Sequence, residues 1–155
     1  MKTEAILSGV IAGLIFMVLL PILCIMLNNY LGFVSITSII FLILGLLLVI
    51  IGIVIFIHCS MLFVRFGDGT PAPMYPPKKL VARGIYLSSR NPIYLGYLSI
   101  LFGEYLIFGH LLLFFYAVLV FSFICYYVIK IEEPKLKERF GKSYELYCRS
   151  VPRWL

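Results

Sequence analysis

The sequence predicts an all-α fold: a polytopic membrane bundle of about four transmembrane helices, closed by a C-terminal amphipathic helix on the cytoplasmic side. Three observations carry this expectation. The 155 residues are 63% hydrophobic and only 13% charged, with a mean hydropathy of +1.07. Soluble domains run about 45–50% apolar and about 25% charged. Four apolar stretches of spanning or near-spanning length divide the chain, and every Lys and Arg falls on one side of the four-span arrangement they define.

The first stretch, residues 5–27, carries no charge and is interrupted only mildly by Pro21. It is too long for the apolar core of a signal peptide and no small-x-small cleavage site follows, so a retained first helix is expected. The second, residues 36–64, contains His58 as its only ionisable group besides Cys59. The third, residues 92–108, contains Glu104. It is marginal against the roughly 20 residues that a spanning helix needs, and is expected to be short, tilted or closely paired with the fourth. Gly109 marks the turn between them, and residues 110–131 form the fourth stretch. The length allows a single membrane domain, 1–155, with a two-helix N-terminal part (1–64) and a core (65–155) that holds the polar motifs.

One basic residue, Lys2, precedes the first stretch, five lie between the second and third, and seven follow the fourth; segments 28–35 and 104–110 have none. Positive residues mark the cytoplasmic side. Both termini, the 65–91 loop and the polar motifs are therefore expected in the cytoplasm of a multi-pass integral membrane protein. The net charge of +6 is topological on this reading and available to anionic headgroups; no nucleic-acid motif accompanies it. Cys24, Cys59, Cys125 and Cys148 are scattered without C-x-x-C spacing, so no disulfide framework and no metal site are expected.

Between the second and third stretches, residues 67–79 read G-D-G-T-P-A-P-M-Y-P-P-K-K, a composition that excludes regular helix and inner strand. Residues 80–94 read L-V-A-R-G-I-Y-L-S-S-R-N-P-I-Y. Pro92 fits the first turn of the third helix, and Asn91 fits its N-cap. Free N–H groups at such a terminus suit a carboxylate or phosphate, with Arg90, Tyr86 and Tyr94 alongside. After the fourth stretch come Glu132 and Glu133, then Pro134 at a helix restart or kink. Leu136, Phe140, Tyr144 and Tyr147 then recur at spacings that define one apolar helical face, with Gly141 a weak point, so the segment reads as an interfacial amphipathic helix. The chain then runs V-P-R-W-L, where Trp154 suits an interface anchor and Arg153 suits a phosphate or carboxylate. There is no G-x-G-x-x-G after a strand, no P-loop, no nucleophile elbow and no H-E-x-x-H.

Taken in order, L-V-x-x-G-x-Y-x-x-x-R-N-P-x-Y, then E-E-x-x-L-x-x-x-F-G-x-x-Y-x-x-Y and V-P-R-W over residues 67–154, this chain resembles the isoprenylcysteine carboxyl methyltransferase and phospholipid methyltransferase family of integral membrane enzymes. The resemblance implies an S-adenosylmethionine-dependent methyltransferase without a Rossmann domain. By position, its cofactor contacts would be Lys78, Lys79, Leu80, Val81, Tyr86, Asn91, Pro92, Ile93, Tyr94 and Glu132. The physics agrees: aromatic faces suit the sulfonium cation, and a carboxylate such as Glu132 suits its ammonium or ribose hydroxyls.

Eukaryotic carboxyl methyltransferases of this family have His where this chain has Asn91, and Arg where it has Val128, four residues before Glu132. Lys130, Arg90 or Arg153 would then hold an acceptor carboxylate. The expected acceptor is lipidic or lipid-anchored, enters from the bilayer and carries a carboxylate, which needs no general base. An amine or hydroxyl acceptor, as in a lipid-amine N-methyltransferase, would need Glu133 or Tyr94 to take a proton. A reading of another class, a non-enzymatic membrane adaptor, expects no cofactor binding.

Overall fold

A computed structural model of the chain describes residues 7, 11–69 and 77–155. Within them the fold is helical, with α1 (Leu20–Tyr30), α2 (Ile39–Leu62), α3 (Pro92–Phe108), α4 (Leu111–Tyr127), α5 (Glu133–Phe140) and α6 (Lys142–Ser150). Three continuous helices are long and apolar enough to cross a membrane: Ile11–Tyr30, Ile39–Gly67 and Leu111–Phe140. The shorter apolar helix Pro92–Phe108 spans about 25 Å at 1.5 Å per residue, against about 30 Å of hydrocarbon. The fourth stretch does not stop near residue 131 as its hydropathy suggests. It runs on to Phe140 in one helix, because backbone hydrogen bonding continues through the charged residues.

Three wide π-turns interrupt the long helices, at Ile15–Leu19, Phe63–Gly67 and Val128–Glu132. Two of them precede a proline. In the first, Leu20 N–H donates to Ile15 O; the next residue, Pro21, has no N–H to offer Phe16 O. The Tyr116 hydroxyl fills that place, donating to Phe16 O at 2.7 Å. In the third, Glu133 N–H donates to Val128 O, and Pro134 follows at the start of α5. Wide turns of this kind occur frequently at functional sites.

The tightest packing is between α2 and α3, which run antiparallel with backbone against backbone. A Cβ on Gly45 would lie 2.7 Å from Gly103 O, and one on Gly52 only 2.5 Å from Gly96 O. The spacing of seven in both helices makes the two contacts two turns apart. Small residues permit such close approach between membrane helices. At the end away from the basic residues, buried Asn28 ties α1 to α4. Its Oδ1 accepts from Leu112 N–H at 3.2 Å and its Nδ2 donates to Phe33 O at 3.1 Å. Gly109 makes the α3–α4 turn with φ +65°, pressed against Ile36, and His110 sits at this same end against Asn29.

Two local expectations need correction. The C-terminal segment is not one amphipathic helix. Gly141, with φ +52°, breaks it into α5 and α6. Leu136 and Phe140 still meet Tyr144, Tyr147 and Val151 in one cluster, together with Leu80 and Ala82. Asn91 does occupy the N-cap position of α3, but its side chain makes no capping bond there; a longer-range partner takes it. The prolines at 71, 73 and 76 lie outside the described residues.

Candidate functional site

At the basic end, the residues after α6 thread back beneath the segment before α3. Arg90 N–H donates to Pro152 O at 2.9 Å. Asn91 Nδ2 donates to Arg153 O at 3.0 Å, and Ser89 Oγ donates to the same carbonyl at 3.3 Å. The Tyr147 hydroxyl donates to Tyr86 O at 2.6 Å. Trp154 tucks into the cluster of Leu98, Ile124 and Val128 between α3 and α4. The Asn91 side chain is thus committed to the Arg153 carbonyl 62 residues on, and not to a local cap.

At the centre of this clasp is Glu133. Arg153 grips its carboxylate with two hydrogen bonds, Nε to Oε1 at 3.0 Å and Nη2 to Oε2 at 2.8 Å. Arg90 Nη1 also reaches Oε1 at 3.1 Å, and the Arg90 and Glu133 side chains are only 11% and 15% exposed. Such forked pairing is the strong form of a charge-assisted bond, and it raises the affinity of the Arg153 guanidinium for its proton. Arg90 also contacts Cys148 Sγ, while its Nε is buried without a partner among the described residues.

Glu132, one residue earlier, faces another neighbour. The Tyr94 hydroxyl donates to its Oε2 at 2.7 Å, and its second oxygen takes no hydrogen bond among the described residues. Tyr86 lies nearby in a cluster with Cys59, Leu62 and Val81, its ring edge-on to Phe63 at 5.3 Å. The Tyr86 hydroxyl is buried without a hydrogen bond among the described residues. Burial first, and then the adjacent Cys59 thiol, make its proton hard to remove. Tyr147 is likewise pushed up, to about 12, chiefly by burial.

The structure thus brings Arg90, Glu133 and Arg153 into one ion-paired group, with Asn91 bonded to the Arg153 backbone. It brings Tyr94 and Glu132 into a second group, with Tyr86 alongside. Val81 is buried beside Tyr86, and Leu80 packs on the α6 tyrosines. Pro92 is fully buried at the start of α3, and the N–H of Ile93 lies in the same uncapped first turn. Lys78 and Lys79 are tied at the backbone to Gly67 O, at 2.7 and 3.1 Å, and the Lys78 ammonium lies 3.7 Å from Asp68. Ser89, Tyr147 and Cys148 also belong to the site; the sequence placed Tyr147 on the apolar face of the C-terminal segment and marked none of the three as a site residue. The S-S-R-N-P run gave a signal for Ser89; the other two act through contacts 58–61 residues away, which no local pattern reveals.

A family model described as phospholipid methyltransferase matches residues 40–143. No curated protein and no solved structure matches the chain significantly. The matched span runs from α2 into the start of α6. It includes Tyr86, Arg90, Tyr94, Glu132 and Glu133, while Tyr147 and Arg153 lie beyond it. Matching helices, site and two thirds of the length together, the chain belongs to the phospholipid methyltransferase family, a family of membrane methyltransferases.

Proposed function

We propose that the chain transfers a methyl group from S-adenosylmethionine to a lipidic or lipid-anchored acceptor, and that the accepting group is a carboxylate. One observation carries the choice of acceptor. Neither candidate base is free to take up a proton: the Glu133 carboxylate is held by the guanidinium groups of Arg153 and Arg90, and the Tyr94 hydroxyl keeps its own proton, which it donates to Glu132. A carboxylate has no proton to lose. An amine or hydroxyl must lose one.

The residues that the resemblance assigns to the cofactor fit its chemistry. When bound, S-adenosylmethionine supplies an electrophilic methyl group on a sulfonium. The unpartnered Tyr86 hydroxyl and the second oxygen of Glu132 suit its hydroxyls and ammonium. The Tyr86 and Tyr94 rings suit a cation, and the uncapped first turn of α3 suits a carboxylate tail. Lys78, Lys79, Leu80 and Val81 would line the approach. Arg90 and Arg153 hold Glu133 in place and, on exchange, would hold an acceptor carboxylate. The side of the membrane follows from charge alone: the positive-inside rule supports a cytoplasmic site and cytoplasmic termini.

A second reading rests on Glu132. Its carboxylate, beside two aromatic rings, would also attract a lipid ammonium, which supports N-methylation. Incubating the purified chain with methyl-labelled S-adenosylmethionine and a lipid extract separates the two. Base-labile label released as methanol supports the ester. Base-stable label in lipid supports the amine, and absence of any labelled lipid would count against both. Glu132→Ala should weaken cofactor binding by about 1.5–3 kcal/mol in calorimetry, whereas Glu145→Ala should not. Equal losses would return Glu132 to a general structural role.

A further inference from the structure

We propose that the cleft between α5 and α6 is a headgroup site for an anionic phospholipid that is not itself the methyl acceptor, with Arg90 and Glu133 forming the wall that the cleft shares with the acceptor group. Its phosphate would lie in the cleft and its chains along an exposed strip of α4. The cleft has a volume of about 590 Å³, and its lining includes Arg90, Glu133, Lys137, Glu145 and Arg149, with Ile129 also on its wall. That volume lies within the range of small-molecule sites.

Charge selects the ligand. Lys137 and Glu145 pair with each other at 3.0 Å. Glu133 is answered twice, by Arg90 and by Arg153. Arg149, exposed on α6, has no ion pair among the described residues. The cleft lining therefore carries one positive charge beyond its two carboxylates, and Arg153, paired with Glu133 from outside the lining, adds a second, which suits a phosphate and repels a cation. Arg guanidinium binds phosphate through paired donors.

Shape selects a lipid over a free anion. Ile129, 41% exposed, continues a strip of α4 formed by Phe115, Leu119 and Tyr126, which are 55%, 68% and 60% exposed. Spacings of four, seven and three residues place these side chains on one helical face. They lead straight to the cleft wall. An amphiphile with apolar chains and an anionic head meets both surfaces at once, whereas inorganic phosphate meets only one. The inference rests on the membrane location of the helices and not on methyl transfer.

The test uses the full chain purified in a nonionic detergent, without cofactor. Dioctanoyl phosphatidylglycerol, dioctanoyl phosphatidylcholine and glycerol phosphate are each titrated, with bound lipid read by native mass spectrometry. Phosphatidylglycerol should bind at least tenfold tighter than phosphatidylcholine, and glycerol phosphate should not be retained. Arg149→Gln should weaken phosphatidylglycerol about tenfold, a change of about 1.4 kcal/mol, and Arg149→Glu should weaken it further. Lys142→Gln, an exposed charge outside the cleft lining, should leave it unchanged. Equal binding of the two lipids, retention of glycerol phosphate as tightly as phosphatidylglycerol, or unaltered affinity in both Arg149 variants would each overturn the proposal. Because no methyl transfer is measured, failure of the enzyme reading leaves this result standing, and the reverse also holds.

Discussion

Replacing Glu133 by Gln keeps the side chain's size and removes its charge. Arg90 then keeps a neutral carbonyl at best, while its side chain stays 11% exposed. Removing one partner of a buried pair costs about 3–5 kcal/mol, because the other charge is stranded. Arg153 contributes less to this cost. At 35% exposure its charge regains water, and exposed pairs are worth only about 0.2–1 kcal/mol. The expected loss for Glu133→Gln is therefore about 3–4 kcal/mol, most of it from Arg90, against about 1 kcal/mol for Arg153→Gln. At about 2–4 °C per kcal/mol for a chain of this size, Glu133→Gln should lower the melting temperature by about 6–16 °C. Fluorescence of Trp154, the sole tryptophan, follows the transition in detergent, because its ring sits 6.1 Å from Phe121 and leaves that contact when the clasp opens. The double change Glu133→Leu with Arg90→Met, which strands no buried charge at position 90, should recover much of the loss. Equal shifts in the Glu133→Gln and Arg153→Gln variants would refute the reasoning, because Arg90 would then not depend on Glu133.

Three further expectations follow from the geometry. Asp caps a helix as well as Asn, so a cap alone predicts that Asn91→Asp is silent; the loss of the Nδ2 donor to Arg153 O instead predicts about 1–3 kcal/mol of destabilisation, and an unchanged melting curve would reject the clasp. Gly52→Ala places a methyl 2.5 Å from Gly96 O and 2.6 Å from Ile100 Cγ1, so it should destabilise by about 1–3 kcal/mol, whereas Gly13→Ala, with nothing within 4 Å, should not; matching melts would mean that α2 and α3 separate freely. Tyr147, pushed up to about 12 by burial, is raised above the unfolded value of about 10, so its stabilising contribution is present below pH 10 and lost as pH rises through about 12; the difference in phenolate absorbance between the parent chain and Tyr147→Phe should appear only above about pH 11, and its appearance near pH 10 would contradict the burial.

Much of the bundle was legible because hydropathy in a membrane protein is a one-dimensional signal. The apolar stretches, the α3–α4 turn at Gly109 and the gathering of polar motifs at one end follow from composition along the chain. What stayed hidden was contact between distant segments. Gly45 and Gly52 lie in a wholly apolar run, and Gly96 and Gly103 in one broken only by Ser99 and Glu104, so nothing local marks the four as the crossing. Asn91 read as a cap because its nearest backbone groups suggest one; its actual partner, the carbonyl of Arg153, is 62 residues on and has no side-chain signature. Gly141 was visible as a weak point, yet nothing local distinguishes a mild kink from the positive φ that splits the segment into α5 and α6. Glu132 and Glu133 are adjacent in sequence and divide between two groups, because the wide turn before Pro134 sets their directions.

The clasp has a consequence for the order in which the molecule is made. Ser89, Arg90 and Asn91 leave the ribosome about 60 residues before the carbonyls of Pro152 and Arg153 that receive them. At about 5–20 residues per second, that gap lasts roughly 3–13 s. During this interval the spanning helices can insert and pair through their glycines, but Arg90 has neither its full ion-pair group nor its backbone acceptor. Nascent chains that stop after α6 and before residue 152 would keep all the helices and still lack the acceptors of Ser89, Arg90 and Asn91. The polar group therefore closes only after residues 152 and 153 have emerged, late relative to the helices that it joins.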